Sequence, residues 1–325
     1  METKKKRRTL TPEEKEAQAK LHEKDNIGCL FMDSGGHSLY TKFVMSKFES
    51  SKRSERNKRT VRDYSQYETD EFWAYVDSYA NWVKENIEFI EYYVNIDAIF
   101  NPVLTWKIQK YLEDAHGLEP VPVIHSGTPL KWVRRYMNAG YDFIGLGGLG
   151  QDVHKDAYYA WADSVFGLIC DNPKRLPVVR THGFAMTSWS LLSRYPWWSV
   201  DSASWVKAAG FGHIYVPRKK KGKFDFTVPP FAIAVSKDSA KLKKKGRHVA
   251  KMRGCDKSHV VEWVNSLGVE YGESTPDGEV IVEGVENSHL SRSVVNIKFF
   301  KMFADSLPEW PWPFRLSGFS GFREL

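Results

Sequence analysis

Apolar positions along the chain alternate between two spacings. Short unbroken apolar runs read as buried strands: "IGCLFMD" (27–33), "YYVNIDAIF" (92–100), "VPVIHS" (121–126), "YDFIGLGG" (141–148), "LPVVRTHGFA" (176–185), "WWSVDSAS" (197–204) and "FGHIYVP" (211–217). Between them lie stretches with helical spacing. In "FWAYVDSYANWVKENIEFI" (72–90), Phe72, Tyr75, Val76, Tyr79, Trp82 and Val83 recur every three to four positions. "TWKIQKYLEDAHG" (105–117) and "PLKWVRRYMNAG" (129–140) each stop at a glycine, and "DAYYAWADSVFGLICD" (156–171) continues the pattern. Strands apolar on both faces belong in a parallel sheet covered by helices. The expected class is therefore α/β, with an open doubly wound sheet competing against a closed (β/α)8 TIM barrel. No G-x-G-x-x-G follows the first strand, which takes support from a nucleotide-binding open sheet.

The polar residues favour the barrel. Asp33, Asp97, His125, Gly147 with Gly148, His182 and Asp201 fall at or just past the C-terminal ends of six predicted strands. In a barrel those ends converge on one mouth, where active sites sit. Any one of them has an ordinary explanation: an Asp at a strand end often caps a helix or forms a turn. Their agreement is the argument.

After Pro217 the alternation weakens. "HVVEWVNSLGVEYGE" (259–273) reads as a helix followed by a strand, and "SRSVVNIKFFKMFADSL" (291–307) as a helix. The expected organisation is a basic N-terminal extension (1–26) and one barrel domain (27–325) carrying a basic insertion or hairpin near its mouth at about 218–253. The tail "EWPWPFRLSGFSGF" (309–322) is rich in aromatic residues, proline and glycine and is expected to pack irregularly.

Charge sharpens this picture. The net charge of +7 is unevenly spread over the 325 residues: thirteen Lys or Arg and two acids lie between Arg218 and Arg253. "SKRSERNKRTVR" (51–62) and "KKKRR" (4–8) are further basic clusters. Gathered cations gain most by neutralising phosphates. This nominates Lys52, Arg53, Arg56, Arg59, Arg218, Lys219, Lys220, Lys221, Lys243, Lys244, Lys245 and Arg247 as a nucleic-acid interface. For residues 4–8 alone, a solvated tail is the simpler reading.

Other classes find less support. No apolar run approaches the ~18 residues of a membrane helix, and the N-terminus lacks a signal peptide's apolar core. Three scattered cysteines, Cys29, Cys170 and Cys255, argue against a disulfide framework and for a reducing, cytoplasmic setting. No zinc spacing is found: Cys255 has only His259 nearby, and His37 is poorly placed for a metal-dependent hydrolase. Two acids at a barrel mouth can instead break a glycosidic bond, one acting at the anomeric carbon and the other moving the proton. A basic rim would hold a nucleic acid while a pocket takes a flipped base. Ser34-Gly35-Gly36 and Gly147-Gly148 allow close backbone approach to a flat ligand.

"DSGGHS" (33–38), "GLGGLG" (145–150) and "VDSAS" (200–204), in this order, resemble the tRNA-guanine transglycosylase superfamily, most closely its phage and bacterial 7-deazaguanine DNA transglycosylase branch. The resemblance covers roughly residues 27–217. It implies a (β/α)8 barrel that exchanges guanine for a 7-deazaguanine such as preQ0, the second substrate, with no cofactor. Carried over, Asp201 is the nucleophile and Asp33 the general acid/base. Ser34, Gly35, His37, Asp97, His125, Gly147, Gly148 and His182 form the base-binding set. The sequence departs from the family where His37 and Ser38 replace an aromatic residue and Gln, and where the structural zinc motif is missing. With the basic insertion, those departures point to DNA rather than tRNA as the partner. The tRNA enzyme and an inactive nucleic-acid-binding barrel are the alternatives. The oligomeric state is left open. If the chain is phage-encoded, its setting is the host cytoplasm.

Overall fold

A computed structural model of the chain describes residues 30–45, 69–148, 155–239, 248–249 and 257–307. It is a mixed α/β structure in which parallel strands alternate with helices. The chain divides into two compact units, 1–123 and 124–325.

In the first unit, β1 (Phe31–Met32) pairs in parallel with β2 (Tyr92–Tyr93), and Val94 extends the pattern through a parallel bridge to Val121. A short helix, α1 (Gly36–Tyr40), runs into a π-helical turn over Thr41–Met45. Helix α2 (Asp70–Glu85) starts where Thr69 accepts a hydrogen bond from the Phe72 N–H at 3.2 Å. It buries Phe72, Val76, Tyr79, Ala80 and Val83, the stripe its spacing predicts. Helix α3 (Pro102–Asp114) opens with proline in its first turn and an Asn101 cap on the Leu104 N–H. Its buried Leu104, Ile108 and Leu112 join Phe72, Val76 and Ile96 in one core. Full burial of each such side chain contributes about 1.5–3 kcal/mol.

A four-stranded sheet follows in the order β3 (Val123–His125), β4 (Phe143–Gly147), β5 (Arg180–Gly183), β6 (Ser199–Val200). The β4–β5 and β5–β6 pairs are parallel, with Gly145 opposite His182 and His182 opposite Ser199. Helices α4 (Leu130–Asn138) and α5 (Lys155–Ile169) and the short α6 (Trp189–Leu192) supply the crossovers. Strand β4 is buried along its whole length, as expected of an apolar run covered on both faces. Beneath the crossovers, Asp163 takes two hydrogen bonds from Arg194 (2.9 and 2.8 Å) and one from the Tyr195 hydroxyl (2.7 Å).

Helix α7 (Ser204–Gly210) leads to β7 (His213–Val216). This strand departs from the parallel pattern that its sequence suggests: its partner is β10 (Phe231–Ala234), and they run antiparallel. The reason is the segment between them, which folds as a tight antiparallel hairpin, β8 (Arg218–Lys220) and β9 (Lys223–Asp225), and returns the chain in reverse. Lys221 (φ 50°) and Gly222 (φ 79°) make the turn, both left-handed as a two-residue hairpin connection requires. Thus the segment beginning at 218 contains a hairpin. Helix α8 (Lys257–Ser266), the hairpin of β11 (Glu273–Ser274) with β12 (Val280–Val282), and helix α9 (His289–Asp305) complete the described chain. Asn296 of α9 accepts from the Tyr215 N–H at 2.9 Å and donates to the Trp205 and His213 carbonyls, fastening α9 to β7.

The extension 1–26, the basic cluster at 51–62, Lys243, Lys244, Lys245 and Arg247, the tail 309–322, Cys29 and Cys255 lie outside the described residues. Among the described residues no helix is long and apolar enough to cross a membrane.

Candidate active site

Asp33 follows β1 directly and is exposed. Next to it Ser34 is buried, its hydroxyl donating to the Asn95 carbonyl at 3.0 Å. The Tyr75 hydroxyl of α2 donates to the Ser34 carbonyl at 3.1 Å. Burial, and then the Asp33 carboxylate, push the Tyr75 hydroxyl pKa up, so Asp33 sits in the field of this tyrosine. Gly35 has φ +73°, which a side chain would strain. At Gly36 a Cβ would stand 3.4 Å from the Asp97 carbonyl oxygen. The loop therefore lies against Asp97, which is 8% exposed. The Thr105 hydroxyl is 3.1 Å from both Asp97 Oδ1 and the Asn101 carbonyl, and accepts from the Ala98 N–H. Having one proton, it donates to one of those two oxygens at a time. In this unit Ser34, Gly35, Gly36 and Asp97 thus come together, on a frame built by Asn95, Tyr75 and Thr105. His37 is the second residue of α1, directly after the two glycines.

The second unit gathers the rest. His125 ends β3, Gly147 ends β4, and Gly148 follows it. A Cβ on Gly148 would meet the Ser126 Cβ at 2.6 Å and the His125 Cε1 at 2.8 Å; on Gly147 it would meet only ordinary contacts, His125 Cδ2 at 3.7 Å and Phe184 at 3.9 Å. The Phe184 ring stands edge-on to His182, with centroids 4.6 Å apart. His182 is 3% exposed. Its Nδ1 is 2.8 Å from Ser199 Oγ, and its Nε2 is 3.5 Å from Asp201 Oδ1. The imidazole therefore lies beneath Asp201.

Asp201 emerges just after β6, its side chain 56% exposed. Its Oδ1 accepts from the Ala185 N–H at 2.9 Å. Its backbone is clamped as well: the carbonyl accepts from the Met186 N–H (2.7 Å) and the N–H donates to Gly183 (3.2 Å). Burial works against ionisation, but His182, the Ala185 N–H and its own N–H together outweigh it. The carboxyl is held below its usual value. Ala185 has φ +54°, an unfavourable conformation for a residue with a Cβ. That strained peptide is the one that aims its N–H at the carboxylate.

Beside Asp201 opens a cavity of about 1420 Å³, walled by Trp198, Val200, Ser202, Val206 and Phe303 among others. Thr187 and Ser202 furnish polar lining, and their hydroxyls lie 2.8 and 2.7 Å from that of Ser204. No protein-family model, curated protein or solved structure matches this chain.

The basic hairpin divides by role. Arg218 donates to the Pro229 carbonyl (2.9 Å) and stacks 4.1 Å from the Phe231 ring centroid. Lys219 pairs with Glu262 and lies over Phe224. Both therefore brace the hairpin. Lys220, Lys221 and Lys223 are exposed at its tip. Among the described residues, no group of three or more His, Cys, Asp or Glu side chains is arranged to hold a metal ion.

Ser199, Ala185, Phe184, Asn95, Tyr75 and Thr105 are the site-forming residues that spacing alone did not single out. Ser199 immediately precedes the "VDSAS" motif, but its partnership with His182 depends on strand register.

Proposed function

We propose that the chain is a base-exchange transglycosylase that replaces guanine in DNA with a 7-deazaguanine such as preQ0, on a (β/α)8 barrel scaffold. The observation that carries this reading is the Asp201 carboxylate. It is ionised, half-exposed, held at one oxygen by an N–H with an imidazole 3.5 Å from the same oxygen, and bordered by a cavity large enough for a nucleotide. Such a carboxylate is suited to attack a sugar carbon. The consecutive β–α–β crossovers of the second unit and the parallel β1–β2 pair support the barrel.

An Asp201 carboxylate oxygen forms a bond to C1′ while the C1′–N9 bond of guanosine breaks. The electron pair goes to N9, and Asp33, in its acid form, protonates the leaving base. N9 of the incoming 7-deazaguanine then attacks C1′, the ester bond to Asp201 breaks, and Asp33 takes the N9 proton. Two displacements give net retention, and both carboxyl groups return to their starting state. Asp97, with the Ser34–Gly36 loop against it, would read the polar edge of the base, and Gly147 and Gly148, beside His125, would offer backbone contacts. The exposed lysines of the hairpin tip would engage phosphates.

The test is incubation of the purified protein with labelled preQ0 and either DNA or tRNA, alongside Asp201→Ala. Label entering DNA only when Asp201 is present is the expected result. Label in tRNA alone would keep the chemistry and change the polymer. Full exchange by Asp201→Ala would overturn the mechanism.

A further inference from the structure

We infer that His182 is a positioning residue for Asp201: with the Ala185 N–H it fixes Oδ1, leaving Oδ2 as the oxygen that attacks C1′. This rests on the transglycosylase reading of Asp201.

A carboxylate has two equivalent oxygens and rotates readily about its terminal torsion. An attacking oxygen must lie about 3–3.5 Å from the carbon with its lone pair aligned. Free rotation would waste most encounters. Here the two oxygens are made unequal. Oδ1 accepts from the Ala185 N–H at 2.9 Å and faces His182 Nε2 at 3.5 Å. The second distance is long for a hydrogen bond, and site hydrogen bonds often tighten only with substrate bound. The contacts to Ala185 and His182 both fall on Oδ1, and the side chain borders the cavity.

The imidazole can serve only if Nε2 carries a proton. Ser199 answers that requirement. It lies opposite His182 on the neighbouring parallel strand, with Oγ 2.8 Å from Nδ1. When the Ser199 hydroxyl donates to Nδ1, the neutral ring must hold its hydrogen on Nε2, facing the carboxylate. The edge of the Phe184 ring against the imidazole, 4.6 Å between centroids, fixes the ring plane. Ser199, His182 and Asp201 thus form a line from the sheet to the site. Its second anchor is the left-handed Ala185 peptide.

The experiment measures kcat and KM of base exchange for wild type, His182→Phe, His182→Gln, Ser199→Ala and Asp201→Ala. Phenylalanine keeps the buried volume and removes the donor, while the glutamine amide can restore one near Nε2. His182→Phe is expected to lower kcat by about 10–100-fold, the scale of an ångström-sized misplacement, with KM for DNA nearly unchanged. His182→Gln should recover much of that loss. Ser199→Ala should lower kcat by a smaller factor at constant KM. Wild-type kcat in His182→Phe, with Asp201→Ala inactive, would overturn the positioning role and leave the transglycosylase reading intact. Activity in Asp201→Ala would overturn that reading itself. If His182→Phe does not fold, Ser199→Ala decides, since it leaves the imidazole in place: an unchanged kcat overturns the inference, and a fall in kcat alone supports it.

Discussion

Gly148 offers the sharpest test of how the β4 end is built. Its φ of +103° is a conformation that L side chains rarely adopt, and a Cβ there would lie 2.6 Å from Ser126 Cβ, 2.8 Å from His125 Cε1 and 2.8 Å from the Ser126 backbone N. Two of those atoms belong to a neighbouring strand end that cannot swing aside. Gly148→Ala therefore incurs backbone strain of about 1–2 kcal/mol and overpacking of about 1–3 kcal/mol, together roughly 2–5 kcal/mol. Gly147→Ala is the control. Its Cβ would find its nearest neighbours at 3.7 and 3.9 Å, and it has no positive φ to strain. Its cost should be under about 1 kcal/mol, because Gly in a strand is itself unfavourable relative to Ala. Urea unfolding followed by tryptophan fluorescence measures both. With a slope of about 2–3 kcal/mol per M, Gly148→Ala should lower the midpoint by about 0.7–2.5 M and Gly147→Ala by far less. Equal midpoints for the two variants would refute the close approach of β4 to His125 and Ser126.

Three further outcomes are expected. Asp163→Asn leaves the buried Arg194 guanidinium without its counter-charge, a loss of about 3–5 kcal/mol, seen calorimetrically as a melting temperature lower by roughly 6–20 °C. Because the folded Asp201 carboxyl titrates below its unfolded value, its ionised form contributes stability that is complete above about pH 4. That contribution is lost as pH falls through the folded value. Wild type should lose stability relative to Asp201→Asn only in that acid window, with a constant difference from pH 5 to 7 in paired urea titrations. Replacing Lys220, Lys221 and Lys223 together by alanine should reduce the slope of log K against log salt on duplex DNA by about 3, whereas an unchanged slope would remove the hairpin tip from the interface.

How much of this was legible in the sequence follows from what determines each feature. Helix α2 was readable because its stripe from Phe72 to Val83 is set by local periodicity, and the Thr69 cap only trims its start. The strand positions were readable from unbroken apolar runs, as at β4, although most strands are shorter than the runs that hold them. Partnership was not. The antiparallel match of β7 with β10 depends on a two-residue turn at Lys221–Gly222, where a lysine rather than the usual Asn or Asp takes the first left-handed position. Asp201 and Asp97 were visible as acids at strand ends. The role of His182 was hidden, because it depends on its register with Ser199 and on a strained peptide at Ala185 that no residue type announces.

The hairpin of β8 and β9 has a practical consequence. Arg218, Lys219, Lys220, Lys221 and Lys223 present five successive trypsin targets on exposed backbone. A protease must draw out an extended stretch of chain before it can cut, so these bonds are protected only while the ladder stays closed. Two strands of three residues are marginal by themselves. What keeps them shut is the Arg218 bond to Pro229, the Lys219 pair with Glu262, and the edge of Phe224 against Trp263 at 5.0 Å. Limited digestion thus becomes a gauge of local opening. Phe224→Ala should convert this ribbon into the first place the chain is nicked, and a ligand that grips the tip should protect it.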